Sequence, residues 1–158
     1  MRGTVKSITI KSHKPLVVIT ADEYDGMKET IELLSVNPSL PAILKKERDR
    51  MDRGDYIALS DYKKKYKIRW CAMFKVILSC SAAKFLDGIF ITNRKLFLRF
   101  MRMLDELSGN PYVAKALAGN LKGYYSYRVS DYRILFEIDR KKLLVYVEKI
   151  THRSVVYK

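Results

Sequence analysis

The residues from Leu121 to Tyr157 carry the side chains of this chain best suited to phosphodiester chemistry: Lys122, Arg128, Arg133, His152, Arg153 and Tyr157. Cutting an RNA backbone without a metal has three requirements. A base helps the 2′-hydroxyl attack the adjacent phosphorus, cationic donors stabilise the charge that builds on the phosphorane, and a proton or positive field assists the departing 5′-oxygen. Arginine suits the second task because its planar fork matches phosphate oxygens and stays charged. Histidine is the side-chain type whose unperturbed charge change falls near neutrality, so His152 could act as acid or base. Tyr124, Tyr125, Tyr127 and Tyr132 divide between packing and surface, with one or two able to stack on bases. Arg128 and Arg133 alone could equally be solvated strand cations, and Glu137 and Glu148 are expected to pair with neighbouring cations.

Charge places this chemistry in one part of the chain. The net charge is +14, yet residues 1–62 hold ten Lys/Arg against ten Asp/Glu. Residues 63–72 hold five basic residues and no acid, and residues 73–158 hold sixteen basic residues against seven acids. Such a field favours a polyanion through phosphate neutralisation and counterion release. Two histidines, His13 and His152, and two cysteines, Cys71 and Cys80, lack zinc spacing, and no glycine-rich phosphate loop occurs. Neither a metal nor a cofactor is expected. No membrane span and no signal peptide is read from the sequence, so a reduced cytoplasm is the expected setting.

The elements that must position these residues fall into two pieces. Residues 1–62 begin with two short extended runs, Ser7 to Lys11 and Leu16 to Thr20, around a turn at His13-Lys14-Pro15. Thr20-Ala-Asp-Glu23 has capping-box spacing, Met27, Ile31 and Leu34 follow at helical intervals, and Asn37-Pro38 stops the helix. A second helix is expected from about Leu40 to Arg53, ended by Gly54. Asp55 to Tyr62 alternates and reads as extended. The like-charge run in residues 63–72 reads as an exposed linker.

Residues 73–158 open with a strand, Met73 to Ser79. Ser81 and Asn93 are read as caps of two helices, the second with Leu96, Phe97, Phe100, Met101, Leu104 and Leu107 on one packed face. Strands are expected at about Tyr124–Val129, Tyr132–Asp139 and Leu143–Ile150, joined by short turns that make them antiparallel neighbours. The fold class is α+β: one antiparallel sheet with two helices on one face, leaving the other face open to a ligand. A small β-hairpin plus helices precedes it.

Several motifs in order carry a resemblance. Leu121-Lys122-Gly123, Tyr125-x-x-Arg128-Val129-x-Asp131-Tyr132-Arg133-Ile134, Glu137-Ile138-Asp139 and His152-Arg153-x-x-Val156-Tyr157 resemble the C-terminal half of RelE-type toxins, in the RelE/ParE superfamily. The resemblance implies a ribosome-dependent mRNA endonuclease. In it Arg133 and Arg153 look like the phosphate and transition-state clamps. Arg128 stands near the attacking or scissile group, Tyr157 orients or stacks on the substrate, and His152 is an acid–base candidate. Lys115, Lys122, Tyr125 and Ser126 would contact RNA.

Residues 7–62 resemble Phd/YefM antitoxins through His13-Lys14-Pro15-x-Val17-Val18-Ile19-Thr20, Asp22-Glu23-Tyr24-Asp25 and Lys28-Glu29-Thr30-Ile31-Glu32-Leu33-Leu34-Ser35. The further helical region that family members carry ahead of this motif is not in it. The resemblance implies a toxin joined to its own inhibitor, docked in cis or on a neighbouring chain of a homo-oligomer. The acids read as facing the basic partner are Asp49, Asp52, Asp55 and Asp61. Partners on this reading are mRNA on the ribosome and the antitoxin segment, with no membrane. Alternatives are a ParE-like toxin that poisons gyrase, which shares the fold, and a silent regulatory or interaction remnant.

Overall fold

The computed structural model describes residues 12–66 and 74–152. The run Ser7 to Lys11 and the end of the 63–72 stretch therefore lie outside the described residues, as do Met73, Arg153 and Tyr157. Helix α1, Ala21–Val36, starts where the capping spacing predicts. The Thr20 hydroxyl accepts from the Glu23 N–H, and the Glu23 carboxylate accepts from the Thr20 N–H at 2.8 Å. Asn37 ends the helix by donating its N–H to the Leu33 carbonyl. Helix α2, Leu40–Asp52, carries Pro41 in its first turn and stops before Gly54, whose φ of +91° suits glycine. Leu16 to Thr20, read as one arm of a hairpin, belongs to no strand.

The reading of residues 55–66 needs a larger correction. Only Tyr56–Ala58 is a strand, β1, and Leu59–Lys65 is a helix, α3. The stretch is neither extended to Tyr62 nor an exposed linker through Lys65. Leu59, Tyr62 and Tyr66 recur at i, i+3 and i+7, a helical stripe hidden behind the lysines. Leu59 and Tyr62 are buried in the main core, with Tyr66 packed against it. The lysines fan around the helix, so only Lys63 turns inward, where it pairs with Asp105. Tyr62, Lys65 and Tyr66 all donate to one oxygen of Asp87.

Strand β2, Lys75–Ser79, runs directly into α4, Cys80–Thr92. Because no loop intervenes, Ser79 and not Ser81 is the cap: its hydroxyl accepts from the Ala82 N–H and donates to the Glu148 carbonyl at 2.7 Å. Asn93 caps α5, Arg94–Gly109, as expected. The chain then forms β3 (Lys115–Ala116), β4 (Tyr124–Val129), β5 (Tyr132–Asp139) and β6 (Leu144–His152). The sheet order is β1-β2-β6-β5-β4-β3. It is mostly antiparallel, but β2 pairs parallel with β6. Short turns dictate direction only within β4-β5-β6; the β2–β6 neighbourhood is made by the long passage through α4 and α5.

Helices cover both faces of the sheet. On one, Phe97, Phe100, Leu104 and Leu107 of α5 meet Ile134, Phe136, Val145 and Val147. On the other, expected to be open, Leu33, Leu40 and Leu44 pack on Leu117, Leu121 and Leu135, and Met51 packs on Ile77 and Tyr146. Each such leucine contributes roughly 1.5–3 kcal/mol on burial. Helix α1 comes so near β3 that a Cβ on Gly26 would sit 2.6 Å from the Ala116 carbonyl oxygen.

Candidate functional site

Arg128 and Arg133 are directly opposite each other across β4 and β5, which puts both on one face of the sheet. Ser126, two residues before Arg128, shares that face. Helix α1 lies over all three. One oxygen of Glu29 accepts from Arg133 Nε at 2.6 Å and from Ser126 Oγ at 3.0 Å; the other accepts from Arg128. Glu32 accepts from Arg133 Nη2 at 2.6 Å. At the sheet edge Asp25 pairs with Lys115 at 2.7 Å. Thr30 fixes the helix further, accepting from the Ala118 N–H at 2.9 Å.

Arg133 and Glu29 are both buried, whereas Arg128 is half-exposed. Burial alone would push the Glu29 carboxyl up, but the hydrogen bonds from Arg128 and Arg133 outweigh it and hold the group below its ordinary range. Glu29 is therefore an ionised carboxylate held between two guanidinium groups. Beside it, Lys115, Ser126, Tyr127 and Arg128 line a hollow of about 320 Å³.

The structure thus brings together Lys115, Ser126, Arg128 and Arg133 of the expected set. It does not bring His152 to them. Thr151 stands opposite Arg133, and His152 stands opposite Tyr132. The Tyr132 and His152 rings meet edge to face at 4.5 Å, and Tyr132 also packs on Phe85 and Phe100. His152 therefore lies on the α4–α5 face. Tyr125 is on that face too, stacked on Phe136. Lys122 is exposed past the 3₁₀ turn Gly119–Leu121, apart from the cluster.

A bulge explains where His152 falls. From Asp139–Leu144 to Phe136–Val147 the strands pair in one register; beyond it Leu135 pairs with Lys149. Glu148 is the extra residue. Had the strands continued in the Phe136–Val147 register, His152 would fall on the parity of Arg133; the bulge at Glu148 shifts the register by one and puts it on the face of Tyr132 instead.

Sequence reading missed Glu29, Glu32 and Asp25 as the acids that meet the basic set. The signal was available: acids at i, i+4 and i+7 form one stripe along α1. Of the acids expected there, Asp52 pairs with Arg48, Asp55 with Arg50, and Asp61 with Lys64, all within the first 66 residues.

A second polar cluster lies under α2. Arg48 sits 3.2 Å above the centroid of the Tyr146 ring, and its Nη1 is 3.0 Å from Glu137, close for an ion pair but misaligned for a hydrogen bond. Glu148 is fully buried next to them, and neither of its oxygens has a hydrogen-bond partner. Burial first, and the Glu137 charge second, push its carboxyl up to about 9. Glu137 pairs with a cation as expected; Glu148 does not. Among the described residues no group of three or more His, Cys, Asp or Glu could hold a metal ion, and no helix is long and apolar enough to cross a membrane.

Residues 76–157 match the family model described as ParE toxin of type II toxin–antitoxin system, parDE. A search of curated proteins found no match. Two solved structures are similar over about half of the chain. The toxin–antitoxin complex RelBE2 from Mycobacterium tuberculosis matches at 24% identity, covering 52% of this chain and 99% of that one, with a TM-score of 0.45. The YoeB–YefM complex from Staphylococcus aureus matches at 21% identity, covering 51% and 98%, with a TM-score of 0.44.

Proposed function

The chain belongs to the ParE toxin family of type II toxin–antitoxin systems, and on that premise we propose that its C-terminal part cleaves mRNA on the ribosome while α1 holds it silent. The observation that carries this reading is Glu29. Its two oxygens occupy the hydrogen-bond donors of Arg128, Arg133 and Ser126 as two phosphate oxygens would. In the open state the same guanidinium groups hold the scissile phosphate. The 2′-oxygen attacks phosphorus, the bond to the 5′-oxygen breaks, and the products are a 2′,3′-cyclic phosphate and a 5′-hydroxyl. The proton leaves the 2′-hydroxyl for a base, and another reaches the departing 5′-oxygen. Arg128 and Arg133 stabilise the phosphorane charge between those transfers.

Residues 1–62 act here as the antitoxin-like inhibitor. Helix α1 supplies the acids, and α2 anchors it through Leu40, Leu44 and Met51. The full chain carrying Glu29→Ala and Glu32→Ala, assayed for mRNA cleavage with ribosomes, tests the reading. Cleavage should appear in that variant and vanish on adding Arg133→Ala. A folded, opened chain that leaves mRNA intact sinks the nuclease.

One observation favours a second reading, a gyrase-poisoning toxin of the ParE type. His152 lies across the sheet from the arginine pair, so its imidazole does not stand beside them. Double-strand breaks in DNA on expression of the opened chain, with mRNA intact, would establish that reading instead.

A further inference from the structure

Helix α5 carries a basic stripe that the closed site does not use. Lys95, Arg99 and Arg102 recur at i, i+4 and i+7 and are all exposed. None of them forms an ion pair with a described residue, unlike Lys115, Arg128 and Arg133, each of which is matched to an acid of α1. The upper end of the stripe opens into a cleft of about 320 Å³, lined by Lys95 and Arg99 and by Ser130, Asp131, Tyr132 and His152 from the strand ends. The cleft is on the α4–α5 side of the sheet, the side that α1 and α2 leave uncovered.

Its lining has a definite chemistry. Lys95 and Arg99 can neutralise successive phosphates of an extended strand. Tyr132 and His152 contribute aromatic rings to its lining. Asp131 is the one acid, and an acid disfavours phosphate. It does accept a hydrogen bond from a 2′-hydroxyl, which RNA has and DNA lacks. Ser130 can accept one as well.

We propose that this cleft and the Lys95–Arg99–Arg102 stripe form a second RNA-binding surface, which holds single-stranded RNA while α1 keeps the Arg128–Arg133 face shut. The inference rests on the reading that the chain acts on RNA, but it concerns binding by the closed chain rather than cleavage. A closed chain that already holds RNA on this side needs only the withdrawal of α1 to expose the Arg128–Arg133 face to the same molecule.

The test is fluorescence anisotropy of the full-length chain with a labelled, mixed-sequence single-stranded RNA, across a potassium chloride series. The wild type should bind. Lys95→Glu with Arg99→Glu should weaken binding at least about tenfold and flatten the log–log salt dependence by roughly two. Lys45→Glu with Lys46→Glu makes the same charge change on exposed residues of α2, across the sheet, and should leave affinity within about threefold. A thermal melt of each variant checks folding, and Lys95→Gln with Arg99→Gln provides a milder pair with the same expected direction. Absence of binding by the wild type overturns the proposal, as does an equal loss in the two reversal pairs. Equal affinity for DNA of the same sequence overturns the role given to Asp131 and with it the assignment to RNA. If the Glu29→Ala, Glu32→Ala chain cuts nothing while binding persists, the nuclease reading fails and this one stands.

Discussion

Arg133 and Glu29 meet with Nε 2.6 Å from a carboxylate oxygen, both side chains almost wholly removed from water. The residues come from opposite ends of the chain, β5 and α1. Glu32 completes a second bond to the same guanidinium group, so Arg133 is held by two acids at once. Taking away one partner of such a buried pair is costly, because the other is left charged in a low-dielectric site. Glu29→Ala should destabilise the chain by about 3–5 kcal/mol, seen as a lower thermal midpoint. The loss should be regained in part when Arg133→Ala is added, and an unshifted midpoint in the single variant would refute the pairing.

Gly26 offers a way to lift α1 without touching any charged residue. Its missing Cβ is what allows the approach to the Ala116 carbonyl. Alanine there is ordinarily better for a helix than glycine by about 1 kcal/mol. Here Gly26→Ala, and more so Gly26→Val, should instead loosen the docking. Limited proteolysis should cut within residues 12–36 faster than in the wild type, and mRNA cleavage should rise. Slower proteolysis would mean that the helix propensity, not the contact, decides.

In a chain opened by Gly26→Val, Arg133→Ala should lower the cleavage rate by about 10²–10³-fold, the size expected for one donor to a developing oxyanion. His152→Ala in the same background should act mainly on KM, because His152 lines the cleft on the opposite face. A kcat loss from His152→Ala as large as that from Arg133→Ala would require the strand ends to rearrange on opening.

Glu148 makes the docked state sensitive to pH. Its carboxyl is raised to about 9, first by burial and then by Glu137, with Asp52 and Glu47 adding and Arg48 opposing. A raised acid holds its proton in the folded chain after the unfolded chain has lost it. Stability from this group is therefore full below its ordinary value of 4.5 and falls as pH rises towards 9. Asp105 acts in the same direction over a narrower window, from 3.8 to about 6, because burial outweighs Lys63. Glu29 runs the other way, losing its contribution only as pH drops through its lowered value. Glu148→Gln should raise the thermal midpoint at pH 8 and flatten the fall between neutrality and pH 9. A steeper fall would place the titration elsewhere.

A chain cut at Met73 should be less stable than one cut at Asp55. Residues 56–65 supply the edge strand beside β2 and put Leu59 and Tyr62 into the main core. Loss of a buried leucine alone is worth about 2–5 kcal/mol. Comparing thermal midpoints of the two truncated chains checks this, and equal values would make α3 a passive connector.

Much of the local structure was legible in the residues themselves. The Thr20–Glu23 box and the Asn93 cap are contacts within four residues, and the packed face of α5 repeats every three or four. Strands β4 to β6 follow from turns of a few residues. Residues 59–65 were misread because a like-charge run masked a helical stripe whose partners lie on α4 and α5. The parallel β2–β6 pair was missed because no local turn specifies it.

By itself the sequence determined which side chains could grip a phosphate, where the positive charge gathers, and which stretches become helix or strand. Those properties depend on residue type and short-range spacing. Only the tertiary structure decided that Arg128 and Arg133 face Glu29 while His152 faces away from them. That outcome depends on the docking of α1 on the sheet and on a single extra residue at Glu148. A strand alternates its faces residue by residue, so one bulge, invisible in a pattern of residue types, reverses the side on which everything beyond it lies.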